Sequence, residues 1–133
     1  MDDSEDKVAT IAGSGFADLL GIELVSRQPD RVVLRMPYKE SIGRDRVHGG
    51  AISALVDIAA TAAFWSHAEV GAGSRGATVG FTINFLNLAR QVDLTADASV
   101  RRRGGQICTG DVSVCDDTGR EVAVARVTYK LSN

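Results

Sequence analysis

The residue most in need of a chemical explanation is Asp57. It stands inside the run 51–64, where Ala, Ile, Leu and Val fill nearly every position and only Ser53, Asp57 and Thr61 are polar before Trp65. An ionised carboxylate in such surroundings is costly unless it meets water, a hydrogen-bond donor or a substrate. Two readings are open: a general base or nucleophile, or a structural acceptor at a helix-helix contact. Immediately before the run stands His48-Gly49-Gly50. A helix beginning there leaves free backbone N–H groups at its positive end, and glycine lets an oxygen approach them closely. Such amides stabilise a carbonyl oxygen as charge develops on it. The plain alternative is that the glycines allow a tight turn where helix meets sheet. His48 reads as an orienting or turn-stabilising residue rather than a base.

These residues need a scaffold. Ser53, Asp57 and Thr61 recur every four residues, which places them on one face of a helix. A helix apolar nearly all round is a buried one, packed on a sheet with a partner as a second cover. Its hydroxyls more often bond backbone carbonyls than take part in chemistry. Upstream, the spacing of Val8, Ile11, Phe16, Leu19 and Leu20 predicts one short helix over 8–20 ending at Gly21. Strands are predicted over 22–25 and 32–36, joined by Gln28-Pro29-Asp30 as a hairpin, followed by a polar, irregular loop over 38–47. Beyond the helix, strands are predicted over 77–86, 92–103, 107–114 and 121–131, with turns at Ala89-Arg90-Gln91, Gly104-Gly105 and Asp116-Asp117-Thr118-Gly119. The fold class is α+β, one long helix packed on a curved antiparallel sheet.

The chain has 133 residues, 44% of them apolar and 24% charged, which suits a single domain over 1–133 with its own core, residues 1–7 being expected as disordered. With 15 basic against 17 acidic residues and 5% aromatics, neither nucleic acid nor an anionic membrane is an expected partner. Cys108 and Cys115 are separated by an odd number of positions within a strand, so they face opposite sides of a sheet and cannot pair, as suits a reducing cytoplasm. The acidic N-terminus is followed by no long apolar run, so no secretory signal is expected, and the run 51–65 is too short for a membrane span and carries Asp57. Gly71-x-Gly73-x-x-Gly76 matches the dinucleotide fingerprint only as a bare pattern, since it follows a helix and precedes a strand, the reverse of the required context. His48, His67 and the two cysteines have no zinc-site spacing, and no metal is expected.

The combination His48-Gly49-Gly50-x6-Asp57, with the later run 78–90, resembles the hotdog-fold acyl-CoA thioesterases of the phenylacetate-pathway (PaaI) type over nearly the whole chain. The resemblance implies a long central helix wrapped by a curved antiparallel sheet, two protomers joined edge to edge in a homodimer or homotetramer, and hydrolysis of an acyl-CoA to free acid and CoA with no metal or redox cofactor. It implies Asp57 as general base or nucleophile, the Gly49 and Gly50 amides as oxyanion donors, and Thr78 as a hydroxyl that places the water or the carboxylate. Arg101 and Arg103 of the run Arg101-Arg102-Arg103, with Gly104 beside them, look like the place where relatives hold the CoA phosphates. Arg90 matches a basic residue common among them. In one respect the chain departs from the family: relatives often carry Asn six residues before the motif's His, and Ile42 stands there. A non-catalytic acyl-CoA-binding hotdog protein is the runner-up. A hotdog hydroxyacyl-thioester dehydratase is a third reading, but the proline-rich His loop of such dehydratases is absent.

Geometry argues for a shared site without the family. Gly49 and Asp57 are eight residues apart, about 12 Å along a helix. A carboxylate cannot reach a carbonyl held that far away on its own helix. Two such helices running antiparallel across a twofold axis bring Gly49 of one to Asp57 of the other.

Overall fold

A computed structural model of the chain describes residues 6–71 and 73–132. Of the segment expected to be disordered, residues 1–5 lie outside the described residues, whereas Asp6 and Lys7 depart from that expectation. Asp6 caps the first helix, α1 (Lys7–Gly13), by accepting from the Ala9 N–H at 3.2 Å, and it pairs with Arg27 at 2.5 Å. The single helix expected over 8–20 is two, α1 and α2 (Phe16–Leu20), because Gly15 turns the chain at φ +60° between them. Six strands follow the two helices: β1 (Glu23–Gln28), β2 (Arg31–Met36), β3 (Arg75–Phe85), β4 (Leu94–Arg103), β5 (Ile107–Cys115) and β6 (Glu121–Ser132). The long helix α3 (Gly49–Phe64) lies between β2 and β3 in the chain.

All the strands pair antiparallel in one sheet of order β1-β2-β4-β5-β6-β3. The chain leaves the sheet after β2, runs through α3 across the sheet's inner face and re-enters at the far edge as β3. Leu55, Val56 and Phe64 of α3 pack against inward residues such as Leu34, Met36, Leu94 and Val114, all fully buried. Each such side chain stabilises the fold by roughly 1.5–3 kcal/mol. Strand β5 shows the two-residue period plainly, with Cys108, Gly110, Val112 and Val114 buried and the residues between them not, so Cys115 faces the other way and both thiols are free. The outer face carries paired charges, Arg31 with Asp97 and both Arg101 and Arg126 with Asp111.

The two sheet edges differ. β1 carries Glu23 and Arg27 and is bulged between Leu24 and Ser26. β3 is 11 residues long, has Arg75 as its one charged residue and exposes Val79 and Phe85. Among the described residues no helix is long and apolar enough to cross a membrane.

Candidate active site

Helix α3 begins where the sequence places it, but the cap is unusual. His48 is the N-cap, and its Nδ1 accepts from the Gly50 N–H at 2.9 Å, as Ser or Asp oxygens do elsewhere. A ring that accepts at Nδ1 carries its proton on Nε2, so the nitrogen nearest the helix start is not free to act as a base. The bond also corrects the expectation for Gly50: its amide is already spent on His48. The Gly49 N–H, by contrast, meets no acceptor among the described residues. Of the two amides expected to serve an oxyanion, Gly49 is the one left open. The ring of Phe85 stands over it, 3.4 Å from where a Gly49 side chain would begin.

The loop leading in is held firmly. Tyr38 Oη donates to the Gly43 and Arg44 carbonyls at 2.6 and 2.9 Å, the Val47 N–H donates to Ala89 O at 2.8 Å, and the His48 N–H donates to Ile42 O at 2.7 Å. Gly43 is obligatory, with φ +149° and no room for a Cβ, which would lie 1.9 Å from Arg46 O. Ile42 is buried and lines a pocket of about 420 Å³ with Phe16, Leu20 and Ala51, bordered by Glu40 and Arg44, on the Gly50 side of the helix start. On the Phe85 side a second cavity, about 510 Å³, is lined by Arg44, Arg46 and Gly49 among others. A larger depression of about 740 Å³ lies on the outer face among Asp97, Asp111 and Arg126, whose charges pair with neighbours, and contains none of the site residues.

Asp57 is half-buried on the face of α3 that its own sheet leaves uncovered, along with Ser53 and Thr61. Thr78 Oγ1 donates to Asp57 Oδ1 at 2.7 Å, and Oδ2 has no partner among the described residues. Thr78 is aimed by a bulge, since the register of β3 against β6 shifts between Thr78 and Gly80. Opposite Thr78 stands Tyr129, which sequence reasoning missed because it looks like one more strand aromatic. Its ring stacks on Phe64 with centroids 4.9 Å apart, and its hydroxyl accepts from Trp65 Nε1 at 2.8 Å. Burial raises the Tyr129 phenol above its ordinary range, donation from Trp65 opposes this, and the nearby Asp57 charge adds to the rise. Gly76 makes this packing possible, since a Cβ there would lie 2.5 Å from Tyr129 Cε2.

The expected phosphate site on β4 does not assemble. Its register shifts between Val100 and Arg102, so the extra residue, Arg101, reaches the outer-face Asp111 at 3.4 Å while Arg103 turns inward. Arg103 pairs with Asp30 at 2.8 Å and donates to the Phe64 carbonyl at 3.0 Å, closing the C-terminal end of α3. The Gly104 N–H is bonded to Ile107 O at 2.9 Å in the β4–β5 turn. Arg90 is exposed and is held by Asp45 at 3.1 Å.

A long helix laid across the concave face of a six-stranded antiparallel sheet is the hotdog fold. The pattern of the thioesterase superfamily matches residues 45–123, and the chain belongs to that family. It is 31% identical to a Halobacterium salinarum protein named "Putative esterase", over 97% of this chain and 95% of that one. The PaaI protein of the Escherichia coli phenylacetic acid degradation operon superposes with a TM-score of 0.81 at 27% identity, covering 92% of this chain and 87% of its own. A hypothetical thioesterase protein of Streptococcus pneumoniae, solved with coenzyme A, shares the fold at a TM-score of 0.75 and 23% identity, covering 84% and 86%.

Proposed function

We propose that the chain is an acyl-CoA thioesterase that works as a homodimer, each active site taking Gly49 from one protomer and Asp57 from the other. The observation that carries this is the pairing of an oriented carboxylate, Asp57 held through Oδ1 by Thr78, with an uncommitted amide at Gly49 on the same helix. In the reaction, Asp57 Oδ2 takes a proton from water as the water oxygen adds to the thioester carbon. The carbonyl oxygen becomes an oxyanion facing the Gly49 N–H. Collapse breaks the carbon-sulfur bond, the CoA thiolate recovers a proton, and free acid and CoA leave. Direct attack by the carboxylate, giving an anhydride that water then opens, uses the same groups. The scheme calls on no metal or redox cofactor, since CoA is part of the substrate.

Two features support the dimer: the long, almost uncharged edge strand β3, and the half-covered Ser53-Asp57-Thr61 face of α3. The free thiols of Cys108 and Cys115 support a reducing, cytoplasmic setting. Coenzyme A in the Streptococcus pneumoniae protein favours CoA as carrier. One observation favours a second reading, acyl-CoA binding without turnover: Ile42 brings no polar group to the helix start, where relatives often have Asn. A panel of acyl-CoAs assayed with a thiol reagent decides between them. Hydrolysis that falls at least about a hundredfold in a folded Asp57→Asn variant supports the enzyme. Tight binding with no release of thiol from any member of the panel supports the binder.

A further inference from the structure

The arginines expected to meet the CoA phosphates are occupied, yet two others beside the site are not. Arg44 and Arg46 are exposed, and neither guanidinium has a hydrogen-bond or ion-pair partner among the described residues. Most of the remaining arginines do: Arg31 with Asp97, Arg35 with Glu23 and Asp93, Arg90 with Asp45, Arg103 with Asp30, and Arg101 and Arg126 with Asp111. Arg44 and Arg46 both line the cavity of about 510 Å³ that also contains Gly49 and Phe85. The Arg44 carbonyl accepts from Tyr38 at 2.9 Å and from Gln91 Nε2 at 3.0 Å, and Val47, next to Arg46, donates its N–H to Ala89 O at 2.8 Å. Two unpaired forks on one short loop can turn together toward an anion, each matching phosphate bidentately. The one carboxylate that lines this cavity, Asp45, is engaged with Arg90, so its lining keeps a net positive charge.

Arg46 and Arg44 precede Gly49 by three and five residues, which at about 3.3–3.6 Å per residue keeps their Cα atoms within roughly 18 Å of it, in reach of one bound molecule. On the other side of the helix start the pocket is walled by Phe16, Leu20, Ile42 and Ala51 with Glu40 and Arg44 at its border, so Arg44 stands between the two cavities and Arg46 belongs to the one that contains Gly49.

We propose that Arg44 and Arg46 form the phosphate-binding subsite of this protein, holding the phosphorylated nucleotide of CoA at the cavity that contains Gly49. This rests on the thioesterase reading for the identity of the ligand, and the test separates the two. Adenosine 3′,5′-bisphosphate, the nucleotide head without a thioester, is titrated calorimetrically into the wild-type protein, into Arg44→Gln/Arg46→Gln, and into Arg102→Gln, which alters another exposed and unpartnered arginine at the end of β4. The expected result is that the double variant binds at least about tenfold more weakly and Arg102→Gln binds as wild type does. The KM for acyl-CoA should rise by a similar factor in the double variant while that for an acyl-pantetheine stays put. Unchanged nucleotide affinity in the double variant overturns the subsite, as does a loss confined to Arg102→Gln or a wild type that does not bind the nucleotide. If the double variant instead loses activity only on the thioester of an acidic carrier protein, the arginines serve a protein surface and the proposal fails. Arginine-dependent nucleotide binding by a wild type that cleaves no thioester leaves the subsite standing and sinks the thioesterase reading alone.

Discussion

Two inactive chains should make one active dimer. On one helix, the Gly49 amide and the Asp57 carboxylate are about 12 Å apart, whereas an oxyanion donor and the group that attacks or delivers water must both lie within about 3 Å of the reacting atoms. No side-chain rotation closes that gap, so the proposed reaction needs each site to draw on two chains. Asp57→Asn removes the base, and Gly49→Val places a branched side chain against Phe85, whose ring already lies 3.4 Å from the position of a Cβ, and shields the amide. In a mixed dimer one site combines an intact Gly49 with an intact Asp57, and the other combines both lesions. Random pairing makes half the dimers mixed, each with one good site of two, so co-expressed chains should recover about a quarter of wild-type activity, and purified mixed dimers about half. Each parent alone should retain on the order of 1% or less, from the usual loss of a general base or an oxyanion donor. Co-expression with two different affinity tags isolates the mixed species, and release of thiol from acyl-CoA is then measured per site. A purified mixed dimer as inactive as its parents would refute the shared site and the antiparallel pairing of α3 with it.

Thr78→Ala should lower kcat about tenfold with little change in KM, because a charge-assisted bond that orients Asp57 is lost, and Thr78→Ser should restore most of it in the same assay. Arg103→Gln should destabilise the protein by roughly 1.5–3 kcal/mol in urea unfolding, since its ion pair with Asp30 and its bond to the Phe64 carbonyl close α3. In the same variant the KM ratio of acyl-CoA to acyl-pantetheine should not move, whereas a selective rise would return Arg103 to the phosphate site. The Asp6 carboxyl is held below its ordinary 3.8, first by its hydrogen bond from Arg27, so the stability it adds is present above pH 4 and is lost as the pH falls through its lower folded value. The protection factors of the α1 amides, measured against intrinsic exchange at each pH, should therefore fall on acidification from about pH 4 downward, and Asp6→Asn should remove that acid-dependent step.

How far the sequence reaches depends on whether a signal is periodic or relational. The four-residue spacing of Ser53, Asp57 and Thr61 gave both the helix and the face on which they lie, because it depends on one element alone. The alternation in β5 likewise separated Cys108 from Cys115. Parity failed at Arg101, where a bulge adds a residue and sends Arg101 and Arg103 to opposite faces. Nothing in three consecutive arginines announces such an insertion, since it is imposed by the pairing with β5. The break between α1 and α2 was signalled by Gly13 and Gly15, whose effect a run of well-spaced apolar residues masked. At the site, the type and order of His48, Gly49 and Gly50 were legible, but the division of labour between the two amides was not. It depends on which way the His48 ring turns, and the backbone at the cap decides that.

The contrast between the two edges of the sheet sets a limit on growth. Any strand that adds to β3 of one molecule must come from a surface that also offers unpaired backbone, and β1 is a poor donor, with Glu23 and Arg27 on it and a bulge between Leu24 and Ser26. Joining of β3 to its own copy is self-complementary and closes at two, whereas joining of β3 to β1 would propagate head to tail into an open filament. If β3 edges join as proposed, the charges and kink on β1 act at a distance from any chemistry, as a stop to further addition. Removing that stop takes both the charges of Glu23 and Arg27 and the bulge, and would open β1 to the β3 edge of another molecule.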